Sequence, residues 1–163
     1  MREQEKKEKA DFYTIGLSDL DQEEIDCLRS IVPRLRNGRP VYKAIWEMYY
    51  RSKTNDLINR VLGREKITGI YKITCLLDDK IYIGQASNMS DRWITHIKQG
   101  VGIDTPNDKF HPAMLRNGIE NYTFELLEVC TATELNDREK YWIGFYQSNI
   151  YGYNTTAGGS RNV

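Results

Sequence analysis

The stretch that decides the fold is "GIYKITCLLDDKIYIG", residues 69–84. It carries two mirrored triplets, Gly69-Ile70-Tyr71 and Tyr82-Ile83-Gly84, on either side of a short turn. Both arms are rich in β-branched and aromatic residues, and Asp78 and Asp79 lie between them, so the segment reads as a β-hairpin. Tyr71 and Tyr82 then lie on neighbouring strands, able to share a face if the register allows. By itself this is only a hairpin with a tyrosine on each arm.

The elements that follow give the hairpin its setting. "NMSDRWITHIKQG" reads as a helix capped by Asn88, with Asp91 three residues on and Gly100 at its end. "KFHPAMLRNG" reads as a short helix with Pro112 in its first turn and Gly118 as its stop. "NYTFELLEVC" alternates Tyr122, Phe124 and Leu126 with polar neighbours, the period of a strand. "ATELNDREKYWIGFYQS" is a long amphipathic helix, and "NIYGYNTTAGGSRNV" a Gly-rich tail without regular period. The order from residue 67 is β-β-α-α-β-α. The expected fold class is therefore α/β (α+β), a small three-stranded antiparallel sheet flanked by helices.

Upstream, residues 1–66 read as a helical extension, and residues 67–163 as the module proper. One helix is expected from about Leu20 to Val32, capped by Asp19 or Asp21. It ends at Pro33, Asn37-Gly38 and Pro40. Two more helical stretches are expected in residues 41–63, one with Ile45, Met48 and Tyr49 on a face, the other with Leu57, Val61 and Leu62. Thr54 or Asn55 is the expected cap between them. The mixed charges of residues 2–10 also fit the tail of a longer helix, which would make the chain part of a larger protein.

Composition bounds the rest. The chain has 163 residues, 40% of them apolar, enough for one packed domain with an extension. Its formal net charge is zero, which argues mildly against a nucleic-acid partner, since such proteins usually carry a basic surface. Residues 1–66 hold 14 Lys/Arg against 12 Asp/Glu, and residues 67–163 hold 9 against 11. Cys27, Cys75 and Cys130 are distant from one another and odd in number, a pattern of reduced, buried thiols. No apolar run is long enough for a bilayer, and the first residues lack a signal-peptide core. The expected location is the cytoplasm.

Certain polar groups converge in this layout. Arg92 and His96 are four apart on one helix and lie on one side of it. Two phenols, a guanidinium and an imidazole then meet at one end of the sheet, while Glu139 stands on the last helix. That set suits a phosphodiester. Arg92 can hold a phosphate through two N–H groups. A lone carboxylate such as Glu139 is enough for Mg²⁺, which keeps its waters and takes substrate oxygens. A phenol, with an ordinary pKa of about 10, needs the metal or Arg92 nearby to serve as a base.

At this point the chain resembles the GIY-YIG nuclease superfamily. The resemblance rests on the paired triplets and on "YIGQASNMSDRWITHI", "NDKFHPAMLRNGIENYTFELLE", "LNDREKYWIGFY" and "YGYNTTAGG", over about residues 67 to 158. Homing endonucleases look closer than repair incision enzymes. The resemblance implies a DNA endonuclease with an Mg²⁺ or Mn²⁺ cofactor. It places Tyr71 and Tyr82 where the family orients or deprotonates the attacking water, without deciding which is the base. Arg92 falls on the transition-state arginine, and His96 on a position held by His or Tyr. Glu139 falls on the metal ligand, and Asn154 on a site-supporting asparagine. Gly84 is expected where the second strand passes close to another backbone. Gln85 departs from members that carry a lysine there, which leaves Arg92 more of the phosphate's charge.

Lys109 and His111 fall where some members have another functional His or Lys, and both are candidate DNA contacts. Arg36 and Arg39, in the basic cluster around Gly38, are further candidates for backbone contact. The partners considered are DNA, a second copy of the chain and an upstream domain. Two alternatives stand beside the nuclease. One is a catalytically silent DNA-binding module. The other is an effector domain of a larger defence or mobile-element protein.

Overall fold

The computed structural model describes residues 14–15, 43 and 46–159. The helix expected from Leu20 to Val32, Arg36 and Arg39 lie outside those residues. Among the described residues there are four strands: β1 (Thr14–Ile15), β2 (Gly69–Cys75), β3 (Ile81–Ala86) and β4 (Tyr122–Val129). They form one antiparallel sheet in the order β1-β4-β2-β3. The expected three-stranded sheet is its main body. The two-residue β1 adds a fourth strand on the β4 side, with Thr14 opposite Glu125 and Ile15 opposite Phe124.

The helices are α1 (Arg51–Leu62), α2 (Met89–Gly100), α3 (His111–Asn117), α4 (Leu135–Tyr146) and α5 (Ser148–Tyr151). A π-helical turn, Trp46–Tyr50, runs directly into α1. The break expected at Thr54 or Asn55 is thus absent. Thr54 is buried inside α1 and nothing in that stretch interrupts the helix: no Gly or Pro lies between Trp46 and Leu62. Asn88 does cap α2, its side chain accepting the Asp91 N–H at 3.4 Å. Pro112 sits in the first turn of α3, and Gly118 ends that helix with φ 91°.

β2 is central and buried on both faces, which explains its near-continuous apolar character. Tyr71, Ile73 and Cys75 point into one core with Trp46, Ile58, Trp93 and Phe110. Ile70 points into the other, with Ile83, Leu127, Trp142 and Ile143 of α4. The sheet is therefore sandwiched between α1–α3 and α4. α1, placed by sequence with the N-terminal extension, shares the first core with the module through Leu57, Ile58 and Leu62.

β4 serves both cores through an irregularity. Ile70 pairs with Glu128 but Tyr71 pairs with Leu126, so Leu127 is an extra residue. Leu126 joins the first core and Leu127 the second. Two ion pairs tie strands and helix together on the α4 side. Arg138 Nε donates to both oxygens of the buried Glu128, at 2.7 and 2.6 Å. Lys72 pairs with its cross-strand partner Glu125 at 3.0 Å and lies 4.7 Å from the centre of the Tyr146 ring.

β3 is the free edge of the sheet, and the tail covers it. Tyr153 N–H donates to Ile81 O at 2.9 Å. The Asn154 amide then pairs with both backbone groups of Ile83, accepting from its N–H and donating to its O, each at 2.8 Å. Gly152 is required here, because a Cβ would strike the carbonyl oxygens of Ile81 and Ser148. A side-chain amide thus completes a strand edge that would otherwise present unpaired groups.

Candidate active site

The hairpin register decides how the tyrosines meet. Tyr71 lies opposite Gly84 and Tyr82 opposite Ile73, so the two phenols are diagonal neighbours on one face. Their ring centres are 6.3 Å apart. Gly84 has a reason different from the expected one. The ring of Tyr71 lies across it, and a Cβ would fall on the phenol carbon and oxygen. The close approach is to a side chain. Close backbone contact belongs instead to Gly69, where a Cβ would meet Glu128 O.

Arg92 stands on the first turn of α2 and lines the same cavity as both phenols, near enough for its charge to act on each. Tyr71 is fully buried and Tyr82 partly so; burial pushes both hydroxyls above the ordinary phenol range, and Arg92 works against that shift. The two phenols in turn hold the guanidinium above its ordinary pKa. Phe110 stacks on Tyr82 with ring centres 4.4 Å apart and planes 6° from parallel, fixing the second phenol's plane.

Behind Tyr71 runs a buried chain of polar groups. The Tyr71 hydroxyl is 2.5 Å from His96 Nε2. His96 Nδ1 is 2.8 Å from His111 Nε2. His111 Nδ1 is 2.7 Å from Asp108 Oδ2, while Asp108 Oδ1 accepts the His111 backbone N–H at 2.9 Å. Burial pushes His96 well below the usual imidazole range, with Arg92 and His111 adding to the effect. Burial also lowers His111, against the opposing pull of Asp108. His111 was a candidate DNA contact in the sequence. The structure turns it inward, buried and bonded at both ring nitrogens, because Asp108 draws the first turn of α3 down onto α2. Lys109, next to Asp108, is exposed.

The other side of the site comes around the β3 edge. Glu139, on α4, accepts the Gly159 N–H on Oε1 at 2.9 Å. Gly158 and Gly159 have φ of +92° and +72°, a left-handed pair that favours glycine and lets the tail close over α4. A cavity of about 470 Å³ joins the halves. Tyr71, Tyr82 and Arg92 line it from one side, Glu139 and Gln85 from the other, and Asp108 and Asn154 also border it. Gln85 is buried, donates to Asn136 Oδ1 at 2.9 Å, and leaves its own Oε1 without a protein partner.

The donor set fits a hard, well-hydrated divalent cation. Among the described residues no group of three or more His, Cys, Asp or Glu could form a metal cage. What the cavity offers is two carboxylates: Glu139, opposite a guanidinium and two phenols, and Asp108, which is engaged by His111. Mg²⁺ is commonly held in that way, by one or two carboxylates with water and phosphate oxygens completing the shell.

Sequence reading named Tyr71, Tyr82, Arg92, His96, Glu139 and Asn154, and the structure brings all six to this cavity or its immediate support. It missed Asp108 and Phe110. The signal for Asp108 was present as Asp-x-x-His at the head of a helix, the spacing of an N-terminal cap. For Phe110 no local signal distinguishes a stacking partner from a core aromatic.

Comparison with known proteins agrees with this geometry. A family model described as the GIY-YIG catalytic domain matches residues 67–154. The catalytic domain of the intron endonuclease I-TevI, solved as a mutant, superposes with a TM-score of 0.51 at 24% identity, covering 56% of this chain and 96% of that one. The catalytic domain of the homing endonuclease I-TevI gives a TM-score of 0.48 at 26% identity, covering 55% of this chain and 98% of that one. No curated protein matches the chain. With its paired triplets on one hairpin, its shared fold and a family match over more than half its length, the chain belongs to the GIY-YIG nuclease superfamily.

Proposed function

We propose that the chain is a metal-dependent endonuclease that hydrolyses DNA phosphodiester bonds by in-line attack of water. The observation that carries this reading is one cavity lined by Arg92 and both phenols, with Glu139 facing them across the β3 edge. A scissile phosphate entering the cavity competes with the phenols for the guanidinium, since a bidentate Arg–phosphate pair is a charge-assisted contact. Arg92 then stays with the negative charge that builds on the phosphoryl oxygens. Glu139 would hold a Mg²⁺ or Mn²⁺ ion, which when bound would supply further positive charge to stabilise the phosphate in the transition state. Tyr71 is the base in this reading, because its hydroxyl already has an imidazole acceptor for its own proton. Tyr82, held flat by Phe110, orients the water. The products are a 5′-phosphate and a 3′-hydroxyl. Target choice falls to residues outside the catalytic module, to an upstream domain or to a second copy.

The test is plasmid nicking by purified protein with Mg²⁺ or Mn²⁺. Nicking that Arg92→Ala and Glu139→Ala each abolish supports the reading. Salt-sensitive DNA binding without cutting under any metal would replace it with the silent-module alternative.

A further inference from the structure

We infer that Asp108 is a positioning residue of this site, setting through His111 and His96 the direction in which Tyr71 gives up its proton. The inference rests on the nuclease reading for its catalytic consequence, and on hydrogen-bond geometry and the burial of the imidazoles for the direction itself.

The direction follows from one end of the chain. An aspartate carboxylate only accepts hydrogen bonds. At 2.7 Å from Asp108 Oδ2, His111 Nδ1 must therefore carry a proton. Both imidazoles are kept neutral by burial, so each carries a proton on one nitrogen only. His111 Nε2 is then a bare acceptor, and the proton between it and His96 belongs to His96 Nδ1, 2.8 Å away. His96 Nε2 is in turn bare and takes the hydrogen bond of the Tyr71 hydroxyl at 2.5 Å. Every donor in the line points toward Asp108. Reversing any one link would set two protons, or two lone pairs, against each other.

This arrangement gives the base an outlet for its own proton through the two imidazoles to Asp108. When Tyr71 takes a proton from the attacking water, its own proton passes to His96 Nε2. The Nδ1 proton of His96 passes to His111 Nε2, and the Nδ1 proton of His111 to Asp108 Oδ2. Each bond broken is matched by one formed, both imidazoles end neutral as the opposite tautomer, and the net change is one proton moved from water to the carboxylate. Tyr71 is fully buried, but the Asp108 side chain is 37% exposed at the border of the cavity, so the proton reaches solvent there.

Asp108→Asn tests this without removing the bond to the His111 backbone, because the amide oxygen can still accept the His111 N–H. Its NH₂ then faces His111 Nδ1 and donates, which forces the line to run the other way. The chain has two histidines, so their ring-nitrogen signals in ¹⁵N–¹H NMR are readily assigned. The native protein should show both as the Nδ1–H tautomer, and Asp108→Asn both as Nε2–H. The turnover number should fall about 100-fold, the scale of lost general-base action. Asp104→Asn, in the same loop but paired with Lys98 at 3.7 Å, should change neither. A native His96 found as Nε2–H, or an Asp108→Asn protein with unchanged tautomers or unchanged turnover, overturns the inference. If the native protein cuts no DNA, the nuclease reading fails, while the tautomer comparison still decides whether Asp108 sets the direction.

Discussion

The two halves of the cavity are built in opposite ways. On the phenol side, Tyr71 is fully buried, crossed by Trp93 and His96, and its ring fills the space above Gly84. On the carboxylate side, Glu139 is half-buried and accepts a hydrogen bond from the backbone of a glycine pair in the tail. One half is set by packing and the other by a turn. The difference suits their tasks: a base must keep its geometry to a fraction of an ångström, whereas a carboxylate holding a hydrated ion must adapt to waters and substrate oxygens.

The strongest way to break this contrast is kinetic. Arg92→Ala should lower turnover about 1,000-fold, because the charge forming on the phosphate loses its preorganised partner. Tyr71→Phe should lower turnover by about 100-fold at every metal concentration, as expected for a lost base. Glu139→Gln should instead shift the Mg²⁺ or Mn²⁺ concentration needed for half-maximal nicking upward. If Tyr71→Phe and Glu139→Gln respond alike to added metal, the division of labour between the halves is wrong.

Stability sharpens the same contrast at smaller scale. Gly84→Ala drives a methyl into the Tyr71 ring and should cost about 1–3 kcal/mol in urea unfolding. Gly158→Ala meets Glu139 Oε1 at 3.1 Å and Ile143 Cδ1 at 2.7 Å with φ at +92°. It should cost about 1 kcal/mol from the backbone, with a larger effect on metal response than on folding. Equal stability losses with unaltered metal response would mean the turn is as rigid as the core.

Acidity offers a third probe. His96 and His111 have folded-state pKa values below the ordinary 6.5. Below 6.5 the unfolded chain binds protons that the folded chain refuses, so stability is fully present above that pH and declines as pH falls through the folded values. Thermal unfolding from pH 8 to 5 should show that loss, and His96→Phe should flatten the curve. The smallest effect is expected at Lys109, which is exposed beside the relay. Lys109→Ala should weaken DNA binding evenly across sequences and reduce the salt slope by about 1.

Much of this was legible because it is local. The hairpin, the Asn88 cap and the Pro112–Gly118 helix each follow from residues within a few positions of one another. The phenols, Arg92 and Glu139 were legible only as a set, since each alone has an ordinary structural reading. Three readings needed coordinates. Thr54 looks like a cap but is carried inside a helix by tertiary burial. Gly84 is glycine because the ring of Tyr71, directly opposite on β2, lies across it, and no local pattern encodes that. Asp108 acts through two histidines from different helices, and which nitrogen of each bears the proton is a property of burial and mutual distance rather than of sequence.

Tyr82 and Ile83 are adjacent in β3, yet they look toward opposite cores and both border the cavity. The gap between the phenols and Glu139 is therefore measured across the thickness of one polypeptide strand. Repacking either core can tilt its own side chains, but it cannot stretch that covalent gauge. Variation in the helices around it can retune affinity and target while the spacing between base and metal ligand stays as the backbone made it.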